Sequence, residues 1–259
     1  MIDPAQLFSV AERTALVTGA SSGIGRMIAT GLAAAGVTVY ACARNAERLT
    51  DAAHAIVTET GGRCIALPGD ISTLAGIEAV VAALSKQEAS LHILVNNAGT
   101  LCDAPIDDYP EQGWDDVVNL NLKSCFFLTQ KLLPMLRAGA TSERPSTVIN
   151  IGSVGGLRIG PRETYAYAAA KAGLHHVSGS LAKRLGPENI TVNSIAPGFF
   201  PSDMTRITSG EMHDMLIGMV PRRRVGEAQD VAGVAIFLSS PAAAYITGTV
   251  IPLEGGMSL

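Results

Sequence analysis

Tyr167 and Lys171 stand four residues apart and head the residues of this chain that could do chemistry. On a helix, that spacing puts both side chains on one face. A phenol ordinarily gives up its proton near pH ~10, too high for ready exchange at neutrality. An ammonium beside it favours the phenolate and suits the phenol to general acid–base work. The same two residues also read as a helical pair that reaches out to water. Tyr165 has no such partner, because Ala169 occupies the matching position. Ser153 follows an apolar run, at its carboxyl end. It is not a hydrolase nucleophile, since Ile151 stands where a G-x-S-x-G turn needs its first glycine. His175 and His176 point to different helix faces, and no H-E-x-x-H spacing occurs. All five histidines are therefore read as structural or solvated, and no metal site is expected.

A second group of residues suits a phosphate. Thr18-Gly19-Ala20-Ser21-Ser22-Gly23-Ile24-Gly25 follows an apolar run and opens a helical pattern. That context aims backbone N–H groups and a helix N-terminus at one spot, which attracts a pyrophosphate. Glycine is needed there because side chains would block close approach. About 20 residues on, dinucleotide folds that bind NAD place an acid for the ribose hydroxyls. Here the stretch reads Tyr40-Ala41-Cys42-Ala43-Arg44, with no acid. A guanidinium at Arg44 suits a 2′-phosphate and so NADP(H); the alternative is an idle surface arginine. Asn96-Asn97-Ala98-Gly99 ends a further apolar run, as a ligand-facing loop or an ordinary turn.

These groups need a scaffold that gathers them. Strand patterns fall at Thr14–Thr18, Val37–Cys42, Cys64–Leu67, His92–Asn96, Thr147–Ile151, Thr191–Ile195 and Thr249–Pro252. Helical patterns fall at Gly23–Ala35, Asn45–Glu59, Leu74–Glu88, Trp114–Leu136, Thr164–Leu185 and Glu227–Ser239. Alternation of this kind predicts an α/β fold: one doubly wound Rossmann-type domain over 1–259, with about seven parallel strands and helices on both faces. Residues 197–221 are Met-rich and broken by Pro and Gly, which suits a substrate lid.

Composition narrows the function classes. Hydrophobic residues make 47% and charged residues 16%, which excludes a disordered chain. A net charge of −4 and 5% aromatics argue against nucleic-acid binding. No apolar window reaches membrane-spanning length, and no leader pattern opens the chain. Cys42, Cys64, Cys102 and Cys125 are scattered and read as free thiols, pointing to the cytoplasm.

In order and context the motifs together resemble the short-chain dehydrogenase/reductase family. They are T-G-x-x-x-G-I-G, the strand-three Asp70, N-N-A-G, Asn121, Ser153, Y-x-x-x-K and the P-G of Pro197-Gly198. The resemblance covers essentially the whole chain. It is strongest to the β-ketoacyl reductase branch, including reductases of rhamnolipid synthesis, through Asn150–Ser153, Tyr165-Ala166-Tyr167 and Ile195-Ala196-Pro197-Gly198.

What the resemblance implies is NADPH-dependent reduction of a 3-oxoacyl thioester carried on CoA or acyl carrier protein, in a homotetramer. Asn121, Ser153, Tyr167 and Lys171 would be the catalytic set. Gly19, Ser21, Ser22, Gly23, Ile24 and Gly25 would hold the phosphates and adenosine ribose, and Arg44 the 2′-phosphate. Asp70 and Ile71 would meet the adenine edge, and Asn97 and Gly99 the nicotinamide ribose. Tyr167 and Lys171 would bond that ribose too, while Pro197, Gly198, Phe200 and Ser202 would position the nicotinamide. The chain departs from the family pattern at Ser22, Pro201 and Ser202, and its Ser153–Tyr167 gap is one residue longer. The same scaffold also serves dehydrogenases of alcohols, sugars or steroids, and a silent NADP-binding protein is a rival of another class. Phe199, Phe200, Met204, Met212, Met215, Leu216 and Met219 could line an acyl site or merely fill the core. Arg158, Arg162, Arg222, Arg223 and Arg224 could attract an anionic carrier. The helices near 114–136 and 164–185 and the apolar run Ile246–Leu259 are expected to form subunit interfaces.

Overall fold

The computed structural model describes residues 2–202 and 211–259, without side-chain detail for 211–213. Seven parallel strands form its sheet in the order β3-β2-β1-β4-β5-β6-β7. They are β1 Thr14–Thr18, β2 Thr38–Ala43, β3 Arg63–Pro68, β4 Ile93–Asn96, β5 Ser146–Ile151, β6 Ile190–Pro197 and β7 Val250–Leu253. Every residue of β1, β4, β5 and β6 is buried. Central parallel strands covered on both faces need this near-continuous apolar run.

Helices α2 (Gly23–Ala34), α3 (Ala46–Thr60) and α9 (Ala228–Ser239) cover one face of the sheet. Ile28, Leu32, Leu49, Ile56, Val231 and Leu238 pack there on Ala15, Val17 and Ile93. Helices α4 (Leu74–Ser85), α6 (Ser124–Gly139) and α7 (Tyr165–Leu185) cover the other. Ile77, Leu84, Leu128, Leu132 and Leu185 pack there on Leu16, Leu94 and Val148. Ala15, Leu16 and Val17 thus alternate between two cores, the period-two rule of a strand. Local signals set the helix ends. The Asn45 and Thr73 side chains accept from the third residue beyond them, and Gly61 closes α3 with φ +66°.

Three details differ from the sequence reading. The predicted Trp114–Leu136 helix is α5 (Glu111–Val118) joined to α6 by one wide π-helical turn, Asn119–Lys123. A helix α8, Glu211–Gly218, lies inside the expected lid, where Pro and Gly had masked it. A single turn, α1 Pro4–Leu7, precedes the sheet and is capped by Asp3. Residues 203–210 of the expected lid, with Met204, lie outside the described residues, as does the Met212 side chain.

Candidate active site

Strand order reverses between β1 and β4, where ligands bind in open α/β sheets, at the strands' carboxyl ends. The glycine loop sits at that point. Gly19 and Gly23 have φ of +67° and +53°, which glycine adopts freely. The glycines also meet protein, a role the motif alone did not suggest. A Cβ on Gly25 would lie 2.4 Å from both Gly19 O and Asn97 Nδ2. One on Gly19 would lie 2.7 Å from the same amide nitrogen. Asn97 Nδ2 donates to Thr18 O at 2.8 Å, while Thr18 Oγ1 accepts from Asn97 N at 2.9 Å and Ala98 N at 3.0 Å. Thr18 and Asn97 therefore lock the glycine loop to the loop after β4. Ser202 packs against Gly23, 3.1 Å from where its Cβ would stand, so the chain after β6 closes over the same loop.

This cradle fits a dinucleotide. Ser22 is the N-cap of α2 but makes no side-chain capping bond, so the first N–H groups of the helix are left for an anion. Ser21, Ser22, Gly23 and Ile24 are half-buried along its rim. Arg44 is exposed at the end of β2, and Asp70 is exposed beyond β3. Burial raises the Asp70 carboxyl, but hydrogen bonds from Ser72 and the charge of Arg44 outweigh it and hold the group below its usual range. Arg44 and Asp70 thus share one rim. Ile71 is buried in the core, so only its backbone can face that rim. Phe200 is likewise buried, its ring against Gly226, while Pro197 ends β6 and Gly198 N donates to Leu253 O.

The chemical groups gather at the ends of β5 and α7. Lys171 is 4% exposed, its Nζ donates to Ile151 O at 2.6 Å and lies 5.6 Å from the Tyr167 ring centroid. Ser153 Oγ accepts from Gly155 N at 3.0 Å, which leaves the hydroxyl proton available to a substrate. A Cβ on Gly155 would touch both Ser153 Oγ (3.4 Å) and the Tyr167 ring (3.9 Å), so the serine and the phenol are neighbours. Asn121 lies in the π-helical turn, fully buried. Its amide donates to Thr100 O and accepts from Thr100 N, both at 2.8 Å, completing the loop after β4 as a backbone strand would. Gly99 sits against that amide, 3.0 Å from its oxygen at the Cβ position.

A buried polar chain ties these pieces together. Asn96 Nδ2 donates to Asn150 Oδ1, Asn150 Nδ2 donates to Ser178 Oγ, and Ser178 Oγ meets Ser194 Oγ. It runs from β4 through β5 and α7 to β6. The sequence reading quoted Thr18 and Asn150 within motifs without giving them a role, and it passed over Ser178, whose only signal is helical spacing from Lys171.

The mouth is also braced. Arg162 pairs with Asp103 at 2.7 Å, and Glu163 accepts from Ile106 N and Tyr165 Oη. Tyr109 packs edge-on against both Trp114 and Tyr165. Arg162 and Arg224, which Asp230 grips with both oxygens, are therefore neutralised. Arg158, Arg222 and Arg223 are exposed.

Comparison with known proteins decides the family. A family model described as Enoyl-(Acyl carrier protein) reductase matches residues 19–258. The chain is 47% identical over 254 residues to the "Rhamnolipids biosynthesis 3-oxoacyl-[acyl-carrier-protein] reductase" of Pseudomonas aeruginosa, covering 97% of this chain and 98% of that one. It belongs to the short-chain dehydrogenase/reductase family. A second member from the same organism, "3-oxoacyl-[acyl-carrier-protein] reductase FabG", is 39% identical over 252 residues, 96% of this chain and 98% of its own. Among solved short-chain dehydrogenase/reductase structures, the "Pseudomonas aeruginosa RhlG/NADP active-site complex" superposes with a TM-score of 0.94 at 47% identity. It covers 98% of this chain and 99% of that one.

Proposed function

We propose that this protein is an NADPH-dependent reductase of 3-oxoacyl thioesters, yielding 3-hydroxyacyl thioesters. The fold and the Ser–Tyr–Lys cluster support carbonyl reduction but are shared by many substrate classes. The observation that carries the substrate class is 47% identity, end to end, with a 3-oxoacyl reductase. When bound, the dinucleotide would supply the hydride. Its phosphates fit the uncapped N-terminus of α2, and Arg44 suits the 2′-phosphate.

Every other step belongs to this chain's residues. Ser153 and Tyr167 are neighbours and donate to the substrate carbonyl oxygen, where negative charge develops. Tyr167 then releases its proton to that oxygen. The Lys171 ammonium, held by Ile151 O, stabilises the phenolate left behind. Asn121 holds the loop after β4 against the site through Thr100.

Two features support an acyl substrate. Met215 and Met219 are 66% and 49% exposed, so they are not core filler and can meet an acyl chain. Exposed Arg158, Arg222 and Arg223 suit the phosphates of CoA or acyl carrier protein. Subunits are taken to assemble as a homotetramer working in the cytoplasm. Among the described residues no helix is long and apolar enough to cross a membrane.

The deciding experiment follows NADPH oxidation with 3-oxoacyl thioesters of rising length, free sugars and steroids. Thioester efficiency should rise from four-carbon to medium chains, since each buried methylene contributes up to ~0.8 kcal/mol. Higher efficiency on a sugar or steroid than on any thioester would overturn the assignment.

A further inference from the structure

His175 stands one helical turn beyond Lys171 and two beyond Tyr167, on the inward face of α7. Two residues of that face grip the end of β5. Lys171 holds Ile151 O, and Ser178, nearly one turn past His175, holds Asn150. His175 lies between them, 8% exposed, beneath the loop that carries Ser153.

The loop is moulded on its ring. A Cβ on Gly152 would fall 2.0 Å from His175 Nε2, and one on Gly156 would fall 2.9 Å from Cε1. Glycine is required at Gly152 because the imidazole already occupies that space, and at Gly156 because the ring and the α7 backbone, with Ala172 N and Lys171 C at 2.8 Å, both crowd it. Ser153 N then faces Nε2 at 3.5 Å, a long hydrogen bond in which the backbone donates and the ring accepts. Accepting there places the ring proton on Nδ1, which is buried. A ring whose Nε2 is enclosed by Gly152 and turned to the Ser153 amide does more than fill space. Burial and then the Lys171 charge disfavour the imidazolium and outweigh a backbone hydrogen bond with Gly156 that favours it; an Nε2 proton would also oppose the Ser153 N–H.

We propose that His175 is a positioning residue that fixes Ser153 against the substrate oxygen through its neutral imidazole. This rests on the reductase reading, in which Ser153 Oγ meets that oxygen. The ring acts through the backbone rather than on the reacting groups. It sets the backbone of Ser153, whose extended conformation (φ −167°, ψ 152°) and Gly155 contact then aim the hydroxyl.

The test is a double-mutant cycle on the full enzyme. His175→Leu removes the acceptor, and His175→Gln keeps an acceptor of similar reach. Each is made with and without Ser153→Ala, with 3-oxoacyl thioester and NADPH saturating. His175→Leu should lower kcat about two- to tenfold, the worth of one neutral hydrogen bond, while the Kd for NADPH is unchanged. His175→Gln should restore most of kcat. In the Ser153→Ala background neither change should alter kcat further, because no hydroxyl remains to be aimed. If the leucine variant does not fold, His175→Asn, too short to reach the amide, takes its place. Equal losses with Gln and Leu, or a full additional loss on top of Ser153→Ala, would overturn the proposal. A Ser153→Ala enzyme as fast as wild type would instead refute the catalytic role of Ser153.

Discussion

Tyr167→Phe keeps the ring beside Lys171 and removes only the hydroxyl, so turnover should collapse while NADPH binding stays within about threefold. Fluorescence titration beside steady-state rates measures both, and a purified variant near wild-type activity would sink the acid–base role. Arg44→Ala should weaken NADPH by roughly one to two decades and leave NADH nearly untouched, because only NADPH carries the extra phosphate. Equal losses for both cofactors would make Arg44 structural. At this scale the Tyr167–Lys171 spacing was legible in the sequence, while Ser153 and Asn121 entered through the family resemblance; the structure places Lys171 and Ser153 beside Tyr167. What the sequence hid were second partners. Asn121 spends its amide on Thr100, Asn97 spends its own on Thr18, and His175 looked like an ordinary buried histidine. Such contacts join residues 21 to 79 positions apart, and no local pattern encodes them.

Among the elements, all seven strands were legible because each is a short apolar run between helices. The break between α5 and α6 was not. A π-helical turn keeps the apolar rhythm nearly intact, so periodicity alone reads straight through it. The glycine loop offers a prediction at this scale. Gly25→Ala sets a methyl 2.4 Å from Gly19 O, so it should destabilise the fold by roughly 1–3 kcal/mol in denaturant titration. Loss of NADPH binding without loss of stability would refute that packing role. The start of α9 offers another. The bond from Arg224 holds the Asp230 carboxyl down at about 2, and Asp230 also closes a capping box with Glu227. A depressed folded-state pKa stabilises above the ordinary value near ~4, and that stabilisation is lost as pH falls from about 4 to 2. Asp230→Asn should therefore lower Tm by about 1–3 °C at pH 7, a modest effect for a half-exposed pair. The gap from wild type should close toward pH 2. A gap that is constant with pH would show that the charge is irrelevant.

For the whole molecule, the surface points to assembly. Trp114 and Phe126 are exposed on α5 and α6, and Tyr245 and Leu259 are fully exposed near β7, an edge strand. Aromatic and aliphatic groups this open, beside an unpaired strand edge, invite a second copy of the chain. Light scattering at micromolar concentration should give a multiple of 26.8 kDa, with four copies expected. Phe126→Glu should shift it to a smaller species, and a wild-type monomer would refute the assembly. Bulk salt should weaken activity only modestly, since two of the five arginines at the mouth are already paired.

The joint between Gly19, Gly25 and Asn97 carries a consequence for how this protein could change over generations. Its parts fit only as a set, so the phosphate loop cannot drift residue by residue, whereas Arg44 is exposed at the end of β2. A library randomised at 19–25 should yield few surviving clones whichever cofactor selects them. One randomised at 44 alone should survive broadly and sort cleanly by cofactor. Evolutionary change of reductant should therefore enter by the rim, with the joint inherited whole.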